Sequence, residues 1–431
     1  MPVSAVEARL DALLLSVRLA SVAIACSGGS DSIALALLTH AWAKKHGVDT
    51  IAVTVDHGLR AESAQEVRLV AKWLKKHGIA HTILAWEGGK PKSNVQEAAR
   101  KARYRLMGDY CQKHGIEALL VAHTLDDQAE TFLLRLRRGS GVDGLAAMAE
   151  ITDMEGIRIV RPLLGIRKAQ LVEYLKQNKQ PYICDPSNEN TDYDRVKIRK
   201  LIPALIETGL TPERIALAAR NMARARKYLH KETDDFLEKH CDFNDKGYVT
   251  LSSLPVDEEI ALRVLAELLM RIGGQDIPPR LDALEQLYAN LRNPSFKGAT
   301  VGGCKLQGTR KNRTIFIFRE QSAVEKPVII KPGETLLWDN RFKVTLHHSA
   351  RPLELGALTQ TGWLEMAKQY KLKNTCPDKK ILYTLPALRT KVGKVVAVPH
   401  LGVGEATIPC KVKFVSGRKI TRSGAQSSSA R

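Results

Sequence analysis

The stretch Val22-Ala23-Ile24-Ala25-Cys26-Ser27-Gly28-Gly29-Ser30-Asp31-Ser32 decides how the first half of the chain is read. Its first five residues form an unbroken apolar run, the pattern of a strand buried on both faces. Residues 31–45 then read as a helix, with Ile33, Leu35, Leu37 and Leu38 among its apolar positions and Gly47 closing it. Between strand and helix lie two glycines, three hydroxyl side chains and a carboxylate. Glycines let backbone amides approach an anion closely, and the positive end of a helix adds to the attraction. Ser27, Ser30 and Ser32 supply further donors. Serine and aspartate also cap helices, which alone accounts for part of the pattern. All six residues together, at the first strand-to-helix switch, point to a loop that wraps phosphate or pyrophosphate. The spacing is neither that of a dinucleotide fingerprint nor that of a Lys-ending nucleotide loop.

Working outward, the same alternation continues. Strands are expected at residues 51–55, 81–86 and 118–122, and helices at 62–77, 94–114 and 125–138. A weaker fifth unit places a strand at 158–164 and a helix at 167–179. Strand–helix alternation implies an α/β fold, a parallel doubly wound sheet with right-handed crossovers. In such sheets ligands bind at the carboxyl ends of the strands, so the residues after Cys26, Val55 and Ala122 are where chemistry is sought. Residues 185–188 read as a turn, and a further helix begins at 195. From Thr211 the pattern is helical, through 213–239, 258–272 and 279–291, before strand-like alternation returns at 300–318. Three segments follow: a catalytic domain at 1–209, a mainly helical domain at 210–321, and a small α+β domain at 322–431 with a Ser-rich tail from Ser423.

The 431 residues suit two to four domains, and 26% charged with 44% hydrophobic residues excludes a mostly disordered chain. Lys and Arg number 66 against 46 Asp and Glu, a net charge of +20. Residues 322–431 alone hold 19 basic and 7 acidic side chains, hence +12. Such an excess attracts polyanions, nucleic acid first among them. The seven cysteines form no Cys-x-x-Cys pair, which argues against a disulfide framework or a structural zinc site and for reduced thiols in the cytoplasm. The apolar stretch 10–26 mimics a signal peptide, but Asp11 and Arg18 interrupt it. No apolar run is long enough to span a membrane, and no membrane association is expected.

Three more clusters fall where the sheet predicts a site: Asp56-His57-Gly58-Leu59-Arg60 after the second strand, residues 94–104 with Arg100 and Arg103 on one helix face, and His123 to Thr131 after the fourth strand. The last crowds Asp126, Asp127 and Glu130 onto a helix start. Helix N-termini favour acidic side chains. Beside a phosphate loop, however, such a cluster calls for a metal or a cationic substrate.

The order Ser-Gly-Gly-x-Asp-Ser resembles the pyrophosphate loop of the N-type ATP pyrophosphatases over residues 20–140. Thiolating members of that superfamily carry sulfur on cysteines or on a cluster. Cys26 and Cys111 here read as packing, which leaves a small substrate as the nucleophile. In register over residues 20–205, the clusters together with Arg137-Arg138-Gly139-Ser140-Gly141, Arg161-Pro162-Leu163-Leu164, Asp185-Pro186-Ser187-Asn188 and residues 195–203 resemble the tRNA(Ile)-lysidine synthetase family.

That resemblance implies ATP and Mg²⁺, free L-lysine, and a tRNA(Ile) with a CAU anticodon whose wobble cytidine is adenylylated and then receives lysine. It implies ATP contacts from Ser27, Gly28, Gly29, Ser30, Asp31, Ser32, His57 and His123, and a metal on Asp31 and Asp126. Asp31, Asp127, Arg100 and Arg195 become the catalytic set, and Arg103, Asp127 and Glu130 the lysine pocket. Arg199, Arg220, Arg224, Arg226 and Lys227 become tRNA contacts. Family members are homodimers or monomers. Two other readings stay open on the residues: another adenylylating enzyme of the superfamily, thiolating or amidating, and a non-catalytic RNA-binding protein with a nucleotide fold.

Overall fold

Alternate side chains of the first strand feed two different cores. In the computed structural model β1 (Ser21–Ala25) sends Val22 and Ile24 to one side of a sheet and Ala23 to the other. Residues 3–56, 58, 63–86, 95–154, 156–184, 194–308, 314–347, 351–405 and 408–415 are described. The chain divides into two compact units, Met1–Lys227 and Tyr228–Ile420.

The first unit opens with α1 (Val3–Val17), followed after β1 by α2 (Ser30–His46), β2 (Asp49–Asp56), α3 (Ser63–Lys76) and β3 (His81–Ala85). Then come α4 (Val95–Lys113), β4 (Ala118–Leu120), α5 (Leu125–Arg137) and α6 (Val142–Leu145). The unit continues with β5 (Ile151–Met154), β6 (Ile157–Val160), α7 (Lys168–Gln177), α8 (Asp194–Glu207) and the first half of α9 (Pro212–His240). The six strands lie in the order β3-β2-β1-β4-β6-β5, all pairs parallel except β5 with β6. One face is covered by α1, α2 and α7, whose Leu10, Leu14, Leu35, Leu38, Leu171 and Leu175 join Val22 and Ile24. The opposite face is covered by α4, whose Tyr104, Met107 and Cys111 join Ala23, Leu119 and Ile159.

The strand order fixes where a ligand can sit. From β1 the chain steps outward to β2 and β3, then returns through α4 to β4 on the other flank of β1. The loops leaving β1 and β4 therefore diverge, which opens a crevice at their carboxyl ends. Besides the short α6, two elements go beyond the expected alternation. α1 buries Val6, Leu10 and Leu14, an i, i+4, i+8 stripe that runs into the stretch that resembled a signal peptide. β5 folds back on β6 as an antiparallel edge strand.

The second unit holds the rest of α9, then β7 (Cys241–Asn244), β8 (Tyr248–Leu251), α10 (Glu258–Gly273), α11 (Leu281–Arg292), β9 (Ala299–Val301), β10 (Cys304–Gly308) and β11 (Ile315–Arg319). These strands form an antiparallel sheet ordered β7-β8-β11-β10-β9, so the segment read as mainly helical also carries five strands. β7 and β8 are four residues each and polar at alternate positions, too short for periodicity to register against the long helix before them. β12 (Val328–Ile330), β13 (Thr335–Trp338), β14 (Phe342–Leu346), β15 (Leu353–Ala357), α12 (Thr359–Tyr370), β16 (Pro386–Arg389), β17 (Val395–Val398), β18 (Val403–Gly404) and β19 (Cys410–Phe414) complete the unit. They build one sheet ordered β12-β15-β16-β17-β18 and another ordered β13-β14-β19. Among the described residues no helix is long and apolar enough to cross a membrane. The Ser-rich tail lies outside the described residues.

Candidate active site

The loop after β1 is shaped by Gly28. Its φ is +89°, and a Cβ there would sit 2.7 Å from both Ile183 Cδ1 and Val70 Cγ2. Only glycine meets both demands without strain. The Gly28 carbonyl accepts the Ile183 N–H at 2.9 Å, tying the loop to the chain beyond α7. Gly29 is the N-cap of α2 in extended conformation, with no side chain to close the helix end. Ser32 closes the loop instead: its Oγ donates to the Gly29 carbonyl at 3.0 Å and accepts the Ser27 N–H at 3.2 Å. The positive end of α2 is thus offered to the crevice.

Asp31, in the first turn of α2, has its carboxyl raised above the usual range by burial. The Lys168 ammonium, 3.5 Å from Oδ2, opposes that shift, and the charge of Asp127 adds to it. Asp127 arrives from the start of α5 in a capping box with Thr124. Its Oδ2 accepts the Thr124 N–H at 2.8 Å and the Thr124 hydroxyl at 2.9 Å. This leaves Oδ1, 3.9 Å from Arg195 Nη1. Glu130, one turn on, is 2% exposed and takes both arms of Arg199, at 2.8 and 3.3 Å. Burial raises its carboxyl, and the Arg199 bonds restrain the shift. His123 stands at the end of β4. Burial lowers its imidazole to about 4, with Arg161, Arg100 and Arg195 pushing the same way and Asp127 opposing. At neutral pH it is therefore an uncharged ring among guanidinium groups. Two carboxylates, a phosphate-shaped loop and a ring of arginines thus meet at one crevice. That arrangement suits a polyphosphate, a divalent cation and a small charged nucleophile.

Residues 2–205 match the PP-loop domain family. A tRNA(Ile)-lysidine synthase from Wolbachia pipientis wMel is 38% identical over 411 residues, covering 93% of this chain and 93% of that one. Another protein of that name, from Ruegeria pomeroyi, is 39% identical over 82% of this chain and 81% of its own. The chain belongs to the tRNA(Ile)-lysidine synthase family.

Against the expectations for that family, the structure brings together Ser27 to Ser32, His123, Asp127, Glu130, Arg195 and Arg199. Arg100 joins them through its electrostatic contact with His123. Arg103 stands one turn along α4 and is exposed. Asp126 points elsewhere. It takes Arg167 Nε at 3.0 and 3.2 Å and the Lys168 backbone N–H at 2.7 Å, which pins α5 to the start of α7. His57 lies outside the described residues, as does the turn at 185–188. Cys26 and Cys111 are buried, and burial pushes both thiols up to about 11, so neither is a nucleophile at neutral pH.

Two participants carried little signal in the sequence. Lys168 reaches Asp31 from α7, and Arg161, buried just past β6, donates to the Ala149 carbonyl and the Thr152 hydroxyl, both at 2.9 Å. Arg161 stood in a motif typical of the family, yet nothing local assigned it a direction. On α9, Arg220, Arg224 and Lys227 are exposed, while Arg226 reaches the Asp143 carbonyl at 3.5 Å. In the second unit a cleft of about 550 Å³ is lined by Lys343, Lys411, Lys413, Thr345 and His400, with Asp245 as its one carboxylate among the lining residues. Lys343 and Lys413 are direct cross-strand partners, a pairing of like charges that an anion would relieve.

Proposed function

We propose that this family member modifies the wobble cytidine of a tRNA(Ile) with a CAU anticodon, using ATP and free L-lysine. The cytidine carbonyl oxygen on carbon 2 attacks the α-phosphorus of ATP and pyrophosphate leaves. The ε-amine of lysine then attacks carbon 2, and AMP departs with the former carbonyl oxygen. The product is lysidine, and decoding changes from AUG to AUA. The observation that carries this reading is the meeting of the Ser27–Ser32 loop with His123, Asp127 and Arg195 at the strand switch.

In this reading the backbone amides at the start of α2 hold the β- and γ-phosphates, assisted by Ser27, Ser30 and Ser32. An ammonium is no nucleophile, so its proton must leave before attack. Asp127 Oδ1 is the acceptor, because Oδ2 is occupied by Thr124. The acidic wall that draws in the lysine ammonium is Asp127 with Asp31. Glu130, paired with Arg199, fixes α8 against α5 and so presents Arg195. Neutral His123 donates or accepts a single hydrogen bond without adding charge. Arg100, Arg103 and Arg195 offer planar anion recognition to the lysine carboxylate and the adenylylated intermediate.

Asp31 is a hard oxygen donor in the first turn of α2 beside the phosphate loop, and Mg²⁺ takes one or two carboxylates together with phosphate oxygens, so Asp31 would hold it, whereas Asp126 is spent on Arg167. Mg²⁺ held there would neutralise triphosphate charge. Phosphate contacts from Arg220, Arg224, Arg226 and Lys227 and from the basic segment 322–431 supply tRNA affinity. Residues 1–209 then act as the catalytic part, and 210–321 and 322–431 as the tRNA grip, in a cytoplasmic enzyme.

The test is direct. Purified protein, ATP with Mg²⁺, radiolabelled lysine and a CAU-anticodon tRNA(Ile) should yield labelled tRNA. No incorporation, or incorporation that needs ammonia or sulfide instead, overturns the reading. Asp31→Ala and Asp127→Ala should each abolish labelling and leave tRNA binding nearly intact.

A further inference from the structure

Arg161 is 5% exposed, yet no carboxylate among the described residues neutralises it. One of its terminal nitrogens bonds to two neutral acceptors, the Ala149 carbonyl and the Thr152 hydroxyl, and Tyr104 lies beside the guanidinium. Its Nε has no partner. A buried guanidinium without a counter-charge is expensive to keep, so its place needs a reason. Tyr104 supplies one. It is buried with Ala23, Met107 and Leu119, its ring fixed by that core and its phenol beside Arg161. Over the ring lies the guanidinium of Arg100, 5.2 Å from the centroid.

We propose that Arg161 and Tyr104 are positioning residues for Arg100: Arg161 fixes the phenol, the phenol's face holds the Arg100 guanidinium, and Arg100 presents it to an anionic group of a substrate. The proposal rests on the reading above for the identity of that anion, a carboxylate of an amino acid or a phosphate of a nucleotide. A cation over an aromatic face is attracted electrostatically, and more strongly where water is excluded. Arg161 and Arg100 carry like charge beside one ring. Their mutual repulsion favours an anion beside Arg100, which completes the charge balance. Neither Arg161 nor Tyr104 need touch substrate for this to hold.

The experiment measures binding to the full-length protein by calorimetry, with L-lysine and ATP·Mg titrated separately. Arg100→Gln should weaken one of the two. Tyr104→Leu and Arg161→Met should weaken the same ligand by about fivefold to tenfold, and Tyr104→Leu in the Arg100→Gln background should change it by less than about twofold. Tyr104→Phe and Arg161→Lys, which keep the ring and the charge and preserve folding, should lie between wild type and the larger substitutions. The proposal is overturned if folded variants at Tyr104 and Arg161 bind both ligands like wild type, if their effects multiply with that of Arg100→Gln, or if Arg100→Gln alters neither affinity. Labelling of tRNA by the wild type is scored separately. Its absence would overturn the functional reading and leave the coupling among these three residues to be decided by the affinities.

Discussion

Replacing Gly28 by alanine should damage the first unit more than replacing Gly47, although both glycines sit at ends of α2 with positive φ. Gly28 has φ +89° and Gly47 has φ +67°. An L-residue in that region costs roughly 1–2 kcal/mol at either position. The difference lies in the surroundings. At Gly47 nothing stands within 4 Å of an added Cβ, whereas at Gly28 the methyl would meet Ile183 Cδ1 and Val70 Cγ2 at 2.7 Å. Overpacking of this kind costs about 1–3 kcal/mol. Val70 is on a helix and the Gly28 carbonyl is bonded to the Ile183 N–H, so neither neighbour moves freely. Gly28→Ala should therefore lose roughly 2–5 kcal/mol and Gly47→Ala only roughly 1–2 kcal/mol. Urea unfolding of the full chain, followed by circular dichroism, measures both. ATP-dependent AMP formation should fall steeply in Gly28→Ala and stay near wild type in Gly47→Ala. Equal midpoint shifts would mean that Ile183 and Val70 yield to the methyl, and the argument from close packing would fail.

Three further outcomes follow from charge. His123 has its folded value lowered from 6.5 to about 4, so the unfolded chain binds the extra proton between those values. Its contribution to stability is complete above pH 6.5 and lost as pH falls toward 4. His123→Gln should therefore show a shallower fall in urea midpoint across that window than wild type, and parallel curves would refute the assignment. Asp339 is buried between Arg319 and Arg341, with bonds of 2.9 and 2.6 Å. Asp339→Asn keeps the shape and tolerates the local φ of +52°, but strands two buried cations and should cost about 3–5 kcal/mol. A loss under about 1 kcal/mol would show that the cluster relaxes or hydrates. Changing Lys343, Lys411 and Lys413 together to glutamine should weaken tRNA binding and reduce the slope of log K against log salt by about 2–3; an unchanged slope would place the phosphate contacts elsewhere.

Much of the catalytic unit is legible in the amino-acid order because each strand and helix there has a strong period and ends in its own stop signal. Val22 to Cys26 announces a strand with two buried faces, and Gly47, Gly78 and Gly115 mark where helices finish, all with positive φ. The acidic knot at Asp126, Asp127 and Glu130 is equally visible as composition. The division of labour within it is not. Three carboxylates within one helical turn and a half point in different directions: Asp126 to Arg167, Asp127 to Thr124 and the crevice, Glu130 to Arg199. Their partners lie 41, 3 and 69 residues away, and no local pattern encodes the distant two. The middle of the chain was hardest to read at β7 and β8, because strands of four residues leave little period to detect beside the 29-residue helix α9.

The sequence alone determined the alternating α/β unit, the phosphate loop and its place at a strand end, the family, and the concentration of positive charge in residues 322–431. The family rests on the resemblance of its motifs; the others follow from local periodicity, glycine geometry and side-chain chemistry, which act over a few residues. Only the tertiary structure decided that Asp127 faces Asp31 while Asp126 does not. It likewise placed Lys168 at the site and a buried Arg161 beside Tyr104. Those outcomes depend on which helices pack on which face of the sheet, and packing joins residues that the chain keeps far apart.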